Sequence, residues 1–167
     1  MYRKVDDFLK EYEELSAGTT KHLEACDDLC LDQAVAKGHR TIRDLAWHIV
    51  TTIPEMMNRT GLGISGVDHT SMPPKSAAEI RDRYKAVTQE LLAAVKANWK
   101  DETLLESDDM YGMRWQRGES LAGLVAHEVH HRAQIGVLMR QAGRETPGVF
   151  GPAKHEWATM GMEPPPY

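Results

Sequence analysis

Three of the eight histidines in this chain fall within five residues, in the run His127-Glu128-Val129-His130-His131-Arg132. Neutral imidazole is the commonest protein ligand for transition metals and exchanges protons near neutral pH, so such a cluster points to metal or acid–base chemistry. One reading is the H-E-x-x-H zinc-protease motif, with His127 and His131 as ligands and Glu128 activating water. That reading lacks a third ligand. In the extended motif Gln134 and Val137 stand where a Gly and a His are required, and Glu145 and Glu156 lie outside any convincing helix. The other reading is a His pair at i, i+4, which any helical metal site can use.

A helical wheel separates the histidines by face. At ~100° per residue from Leu121, the apolar stripe centres near zero, His127 falls near −120°, His131 near −80°, Gln134 near −140° and His130 near 180°. His127 and His131 therefore border the core together, and His130 turns to solvent. Glu128 and Arg132 lie inside the stripe at i, i+4, a spacing suited to a buried ion pair rather than to a water-activating base.

A bis-His pair needs at least one more ligand to hold a transition metal firmly. His48, in Leu45-Ala46-Trp47-His48-Ile49-Val50, is the candidate, although it sits roughly 130° from the centre of its own apolar stripe. Asp44, one turn earlier, is either the residue that orients the His48 ring or a helix-start residue. His22, His39, His69 and His155 have no such company and are expected at the surface.

Four amphipathic segments must position these side chains. The first runs from about Lys4 to Cys26 and carries Val5, Phe8, Leu9, Tyr12, Leu15 and Leu23. The second opens at Thr41, where Thr41-x-x-Asp44 has capping-box spacing, and its stripe continues through Met57. The third starts at Ser76, with the same spacing to Glu79. The fourth spans about Ser120 to Ala142, with Gly143 as its stop. The connection from Asn58 to Lys75 holds Gly61, Gly63, Gly66, Pro73 and Pro74, which predicts a long crossover. The connection from Asp101 to Glu119 carries Tyr111, Arg114, Trp115 and Arg117, residues suited to lining a pocket. No strand-like alternation competes. The expectation is an all-α protein: a four-helix bundle in one domain, 1–167, with its core at 4–142, an irregular tail at 143–167 and a long crossover between helices 2 and 3.

Composition narrows the function classes. The 167 residues include 20 Lys and Arg against 25 Asp and Glu, and a net charge of −5 argues against binding nucleic acid. No apolar run approaches the ~20 residues needed to cross a bilayer, and the N-terminus has no signal-peptide core. The two cysteines, Cys26 and Cys30, are expected on one helix face as reduced, core-filling thiols, which suits a cytoplasmic location. The terminal Pro164-Pro165-Pro166-Tyr167 matches a P-P-x-Y ligand, which would make the protein an adaptor but leave the histidines unexplained.

Taken together, Leu45-x-x-His48-Ile49-Val50 and His127-Glu128-x-His130-His131-Arg132-x-Gln134 resemble the DinB/YfiT-like family, over a span from the first helix through Ala142. Many members carry Gly where this chain has Ala133. The resemblance implies a four-helix bundle, often a homodimer, with a divalent metal held by His48, His127 and His131. It also implies a transferase acting on a small molecule with a low-molecular-weight thiol as cosubstrate. The chemistry leaves alternatives open: metal-bound water would make a hydrolase, and a third option is a non-catalytic metal-binding protein. Zn²⁺, Ni²⁺ and Fe²⁺ all accept three imidazoles. No residue stands out as general acid or base.

Overall fold

In the computed structural model, which describes residues 1–166, four helices carry the chain: α1 (Val5–Glu24), α2 (Ile42–Met57), α3 (Ala77–Asn98) and α4 (Arg117–Gln141). Tyr167, and with it the P-P-x-Y motif as a whole, lies outside the described residues. Local signals account for the helix starts. Thr41 Oγ1 accepts the Asp44 N–H at 3.2 Å while Asp44 accepts the Thr41 N–H at 2.8 Å, the reciprocal cap its spacing predicts. The Ser76 hydroxyl oxygen likewise faces the Glu79 N–H, and Gly143 follows α4 with a φ of 73°.

Packing sets the topology. α1 borders α3 and α4, and α2 borders the same two helices, so α1 and α2 face each other across the bundle. The residues between α2 and α3 run back along α2: Gly66 lies against Pro54, and Trp47 Nε1 donates to Ser71 O at 3.0 Å. α3 thus begins level with the start of α2, where the Ala77 N–H meets the Asp28 carboxylate at 2.7 Å. α2 and α3 are parallel to each other and antiparallel to α4, the arrangement that a long crossover permits.

Two expectations need correction. The connection before α4 is not irregular: after a 3-10 turn (Asp101–Leu105), β1 (Ser107–Met110) and β2 (Met113–Gln116) form an antiparallel hairpin. Four-residue strands are too short to show alternation, which hid them in the sequence. Its turn is Tyr111-Gly112, with φ of 58° and 80°, the positive pair of a type I′ turn. Cys26 and Cys30 do not share a helix face either. α1 ends at Glu24, the Asp27 carboxylate accepts the Cys30 N–H, and the two buried cysteines are joined as a disulfide across this turn.

One apolar cluster fills the bundle, including Phe8, Tyr12, Ile42, Ile53, Tyr84, Leu91, Leu121 and Ile135. A polar knot lies within it. Glu128, 1% exposed, accepts hydrogen bonds from Tyr12 Oη (2.8 Å), Thr19 Oγ1 (2.7 Å) and Tyr84 Oη (2.5 Å). Arg132 is buried beside it, as its place in the stripe predicts. Its guanidinium donates to Leu15 O and Thr19 Oγ1 rather than to Glu128, so the two charges meet through the threonine. Burial pushes the Glu128 carboxyl up, with the three hydroxyl bonds pulling against it. Removing one member of a buried network leaves the others desolvated and unpaired. Glu128→Ala should therefore lower the unfolding free energy by about 3–5 kcal/mol, measured by chemical denaturation.

Candidate metal centre

His48 lies in the middle of α2, and His127 and His131 stand one turn apart in α4, on the antiparallel pair that forms one side of the bundle. Their imidazoles converge. His127 Nε2 and His48 Nε2 are 3.0 Å apart, the three rings meet edge to face with centroids 4.4–4.8 Å apart, and one nitrogen from each lies within 4.8 Å of the others. Two nitrogens bound to one tetrahedral ion at 2.0–2.1 Å are roughly 3.3 Å apart, so the cluster has the dimensions of a three-histidine site.

The surroundings keep these rings neutral. Burial, then the Arg40 charge, pushes His48 down to about 4, and burial and the other histidines push His127 down to about 4. Burial lowers His131 as well. A neutral imidazole offers a lone pair without first giving up a proton, as a metal ligand must. Gln134 Oε1 accepts from His131 Nδ1 at 2.7 Å, which leaves Nε2 with the free lone pair. The same amide donates to the exposed His130, so Gln134 bridges the two neighbouring rings. Asp44 does not play that part for His48. Its carboxylate is committed to the Thr41 N–H and hydroxyl, and Thr52 Oγ1 stands 3.5 Å from His48 Nδ1 instead.

Beside His48 and His127 opens a cavity of about 740 Å³, also lined by Thr51, Thr52, Glu55, Met56, Arg59, His69, Tyr111 and Trp115. Tyr111 and Trp115 are part of its lining. Arg114 and Arg117 are not: Arg114 donates to Ser107 O within the hairpin, and Arg117 pairs with Glu106 and Asp108. Gly123 admits the Trp115 ring, because a Cβ there would lie 3.0 Å from Cζ3. On the far wall Tyr111 Oη donates to Glu55 at 2.5 Å, Arg59 pairs with the same carboxylate, and the guanidinium lies over the Tyr111 ring at 4.5 Å. Burial works to raise Glu55, but the bonds from Tyr111 and Arg59 outweigh it and hold the carboxyl below its usual range. Thr51, Thr52 and Glu55 follow His48 on α2 at i+3, i+4 and i+7, and Arg59 comes at i+11 in the 3-10 turn Asn58–Thr60 that continues it, a spacing that could have found them once His48 was chosen. His22 also departs from expectation. It is buried, with Nδ1 3.2 Å from Gly18 O, in a gap left by Gly136.

The DinB family model matches residues 1–165 of this chain. The chain belongs to the DinB family. It is 37% identical to the protein YrdA of Bacillus subtilis (strain 168) over 165 residues, 99% of each chain. A crystal structure of a DinB-like protein from Bacillus cereus ATCC 10987 is 37% identical and superposes with a TM-score of 0.87, over 90% of this chain and all of that one. The DinB-like protein YjoA of Bacillus subtilis shares the fold at 17% identity, with a TM-score of 0.69 over 86% of this chain and 97% of that one. Family membership and the three-histidine group together fit a metal-binding DinB protein.

The low histidine values fix the sign of an acid response. Unfolded histidines take up protons near 6.5, whereas in the folded protein His48 and His127 do so only near 4, and His22 and His131 are shifted the same way. The unfolded state therefore binds more protons in between, and stability held above about pH 6.5 is lost as pH falls towards 4. The melting temperature of metal-free protein should drop across that window, and the drop should shrink in the His48→Gln/His127→Gln variant.

Proposed function

We propose that this DinB protein is a metal-dependent transferase that uses a low-molecular-weight thiol at a divalent centre held by His48, His127 and His131. The observation that carries this reading is the convergence of three neutral imidazoles, with no carboxylate among them, two of which, His48 and His127, line a cavity large enough for a small-molecule substrate. A divalent ion held by three imidazoles keeps a position open and supplies Lewis acidity that stabilises a thiolate at neutral pH. Zn²⁺, Ni²⁺ and Fe²⁺ all suit this donor set.

The chain's own residues do the rest. Gln134 holds the His131 ring in its ligating tautomer, and Thr52 stands against His48. Met56 and Trp115 offer apolar surface for an electrophile, while Glu55, Arg59 and Tyr111 offer polar groups about 10 Å along α2 from His48, seven residues at the helical rise. In the transfer, the thiol proton leaves to solvent, the sulfur forms a bond to the electrophilic carbon, and the leaving group departs with its bonding pair. The family resemblance adds a homodimer of one-domain chains working in the cytoplasm on a small molecule. A hydrolase is the second reading, because the same three neutral imidazoles would equally suit an ion that activates a bound water.

Elemental analysis of untagged protein, purified without a metal-affinity column, tests the centre. About one divalent ion per chain is expected, falling to near none in His48→Ala, His127→Ala and His131→Ala while the proteins stay folded by circular dichroism. Gln134→Ala should weaken metal affinity by roughly 10- to 100-fold. Unchanged metal content in the histidine variants would sink the reading. Metal-dependent consumption of 1-chloro-2,4-dinitrobenzene with 2-mercaptoethanol supports the transferase. Turnover of p-nitrophenyl acetate with no thiol, and no thiol transfer, would favour the hydrolase.

A further inference from the structure

A cavity of about 520 Å³ lies along α1 and α4, away from the α2–α4 seam that holds the three histidines, and it shares no lining residue with the cavity beside His48 and His127. It falls within the size range of small-molecule sites. Val129 and Val137 of α4 form one wall, and the chain after α4 supplies the other through Pro147, Val149 and Phe150. Gly18 lets that chain lie against α1, since a Cβ there would collide with Val149 Cγ1.

Three basic side chains line this otherwise apolar space. Arg132 is only 4% exposed. Its Nη1 donates to Leu15 O and Thr19 Oγ1, but its Nε and Nη2 have no hydrogen-bond partner among the described residues, and the guanidinium lies 5.1 Å from the Phe150 ring centre. His22, 7% exposed, donates from Nδ1 to Gly18 O, which leaves Nε2 unbonded. Arg140 Nη1 folds back onto Gly136 O at 3.3 Å. A Cβ at Gly136 would stand 3.3 Å from His22 Nε2 and 3.8 Å from Arg140 Nη1, so both groups border the same glycine. Burial lowers His22, and the Arg132 and Arg140 charges add to that effect.

No carboxylate of the protein answers these charges inside the cavity. Glu128 offsets part of the Arg132 charge, but three hydroxyls fill its acceptor sites and it lies in the core. Glu156, beside the same loop, accepts the Gly148 and Ala153 N–H groups. Arg140 has no ion-pair partner among the described residues. A buried cation is tolerable only where an anion or a full set of acceptors meets it, and guanidinium is the group best matched to a carboxylate.

We propose that this cavity binds a small organic carboxylate with an apolar body, the carboxylate lying between His22, Arg132 and Arg140 and the body against Val149 and Phe150. The site is separate from the metal centre and does not depend on the transferase reading.

The test titrates 3-phenylpropionate into the protein, read by calorimetry and by the His22 imidazole resonances. A Kd below about 1 mM is expected, with 3-phenylpropanol and acetate each at least about tenfold weaker, the first lacking the charge and the second the apolar body. Binding should be lost in Arg140→Glu, survive in part in Arg140→Lys, and be unchanged in His48→Gln/His127→Gln. No saturable binding, equal affinity for the alcohol, or full affinity in Arg140→Glu would overturn the site. Loss of binding in His48→Gln/His127→Gln would move the carboxylate to the histidine cluster and overturn it as well. Inorganic phosphate binding as tightly as 3-phenylpropionate would overturn the choice of an organic carboxylate.

Discussion

The buried carboxylate of Glu128 governs how the rest of the molecule is arranged. It sits on α4 between His127 and His131 and accepts hydroxyls from α1 (Tyr12, Thr19) and α3 (Tyr84). A carboxylate in an apolar interior is tolerable only where its acceptor sites are filled. α4 therefore has one rotation and one axial position in which all three bonds form, and in that setting His127 and His131 turn towards α2. Arg132, one turn further on, ties the same helix to the Leu15 carbonyl. An apolar stripe alone could slide or rotate by part of a turn at little cost. The polar knot removes that freedom, and the aim of the histidines follows from it.

Much of this was legible in the sequence, and the reasons differ by element. The four helices were readable because each has a continuous apolar stripe and most have chemical start or stop signals, of which Thr41 with Asp44 is the clearest. The His127/His131 pair was readable because both sit on one rotation of a single helix. His48 was harder, since periodicity placed it on the flank of α2. The structure shows why a flank suffices: at the seam between two antiparallel helices, the flanks face each other. The conflict between Asp44 as cap and as ring partner was a competition for one carboxylate, and the cap won because it is local.

What the sequence hid depends on distant partners. The β1–β2 hairpin escaped because four-residue strands carry no period, and its Tyr111 adopts a left-handed backbone that favours glycine, asparagine or aspartate. Arg114 and Arg117 looked like pocket residues by composition, but a carbonyl and a carboxylate of β1 and the Glu106 carboxylate just before it claim them. His22 looked solitary because nothing near it in sequence explains it. The space it fills is made by Gly136, 114 positions away. Cys26 and Cys30 meet because α1 stops two residues before the first of them.

The left-handed Tyr111 has an evolutionary consequence. A non-glycine residue in that conformation carries about 1–3 kcal/mol of strain, kept here by the hydrogen bond that the Tyr111 hydroxyl donates to Glu55 and by the Arg59 stack. The residues suited to bind metal lie on two long helices, whereas this wall of the cavity is contributed by a ten-residue ribbon with a strained tip. Selection can lengthen, shorten or rewrite that ribbon without shifting α2 against α4. Descendants of one ancestral bundle could thus diverge in what they accept while inheriting the same reactive core, and the tip of the hairpin is where such divergence would be cheapest.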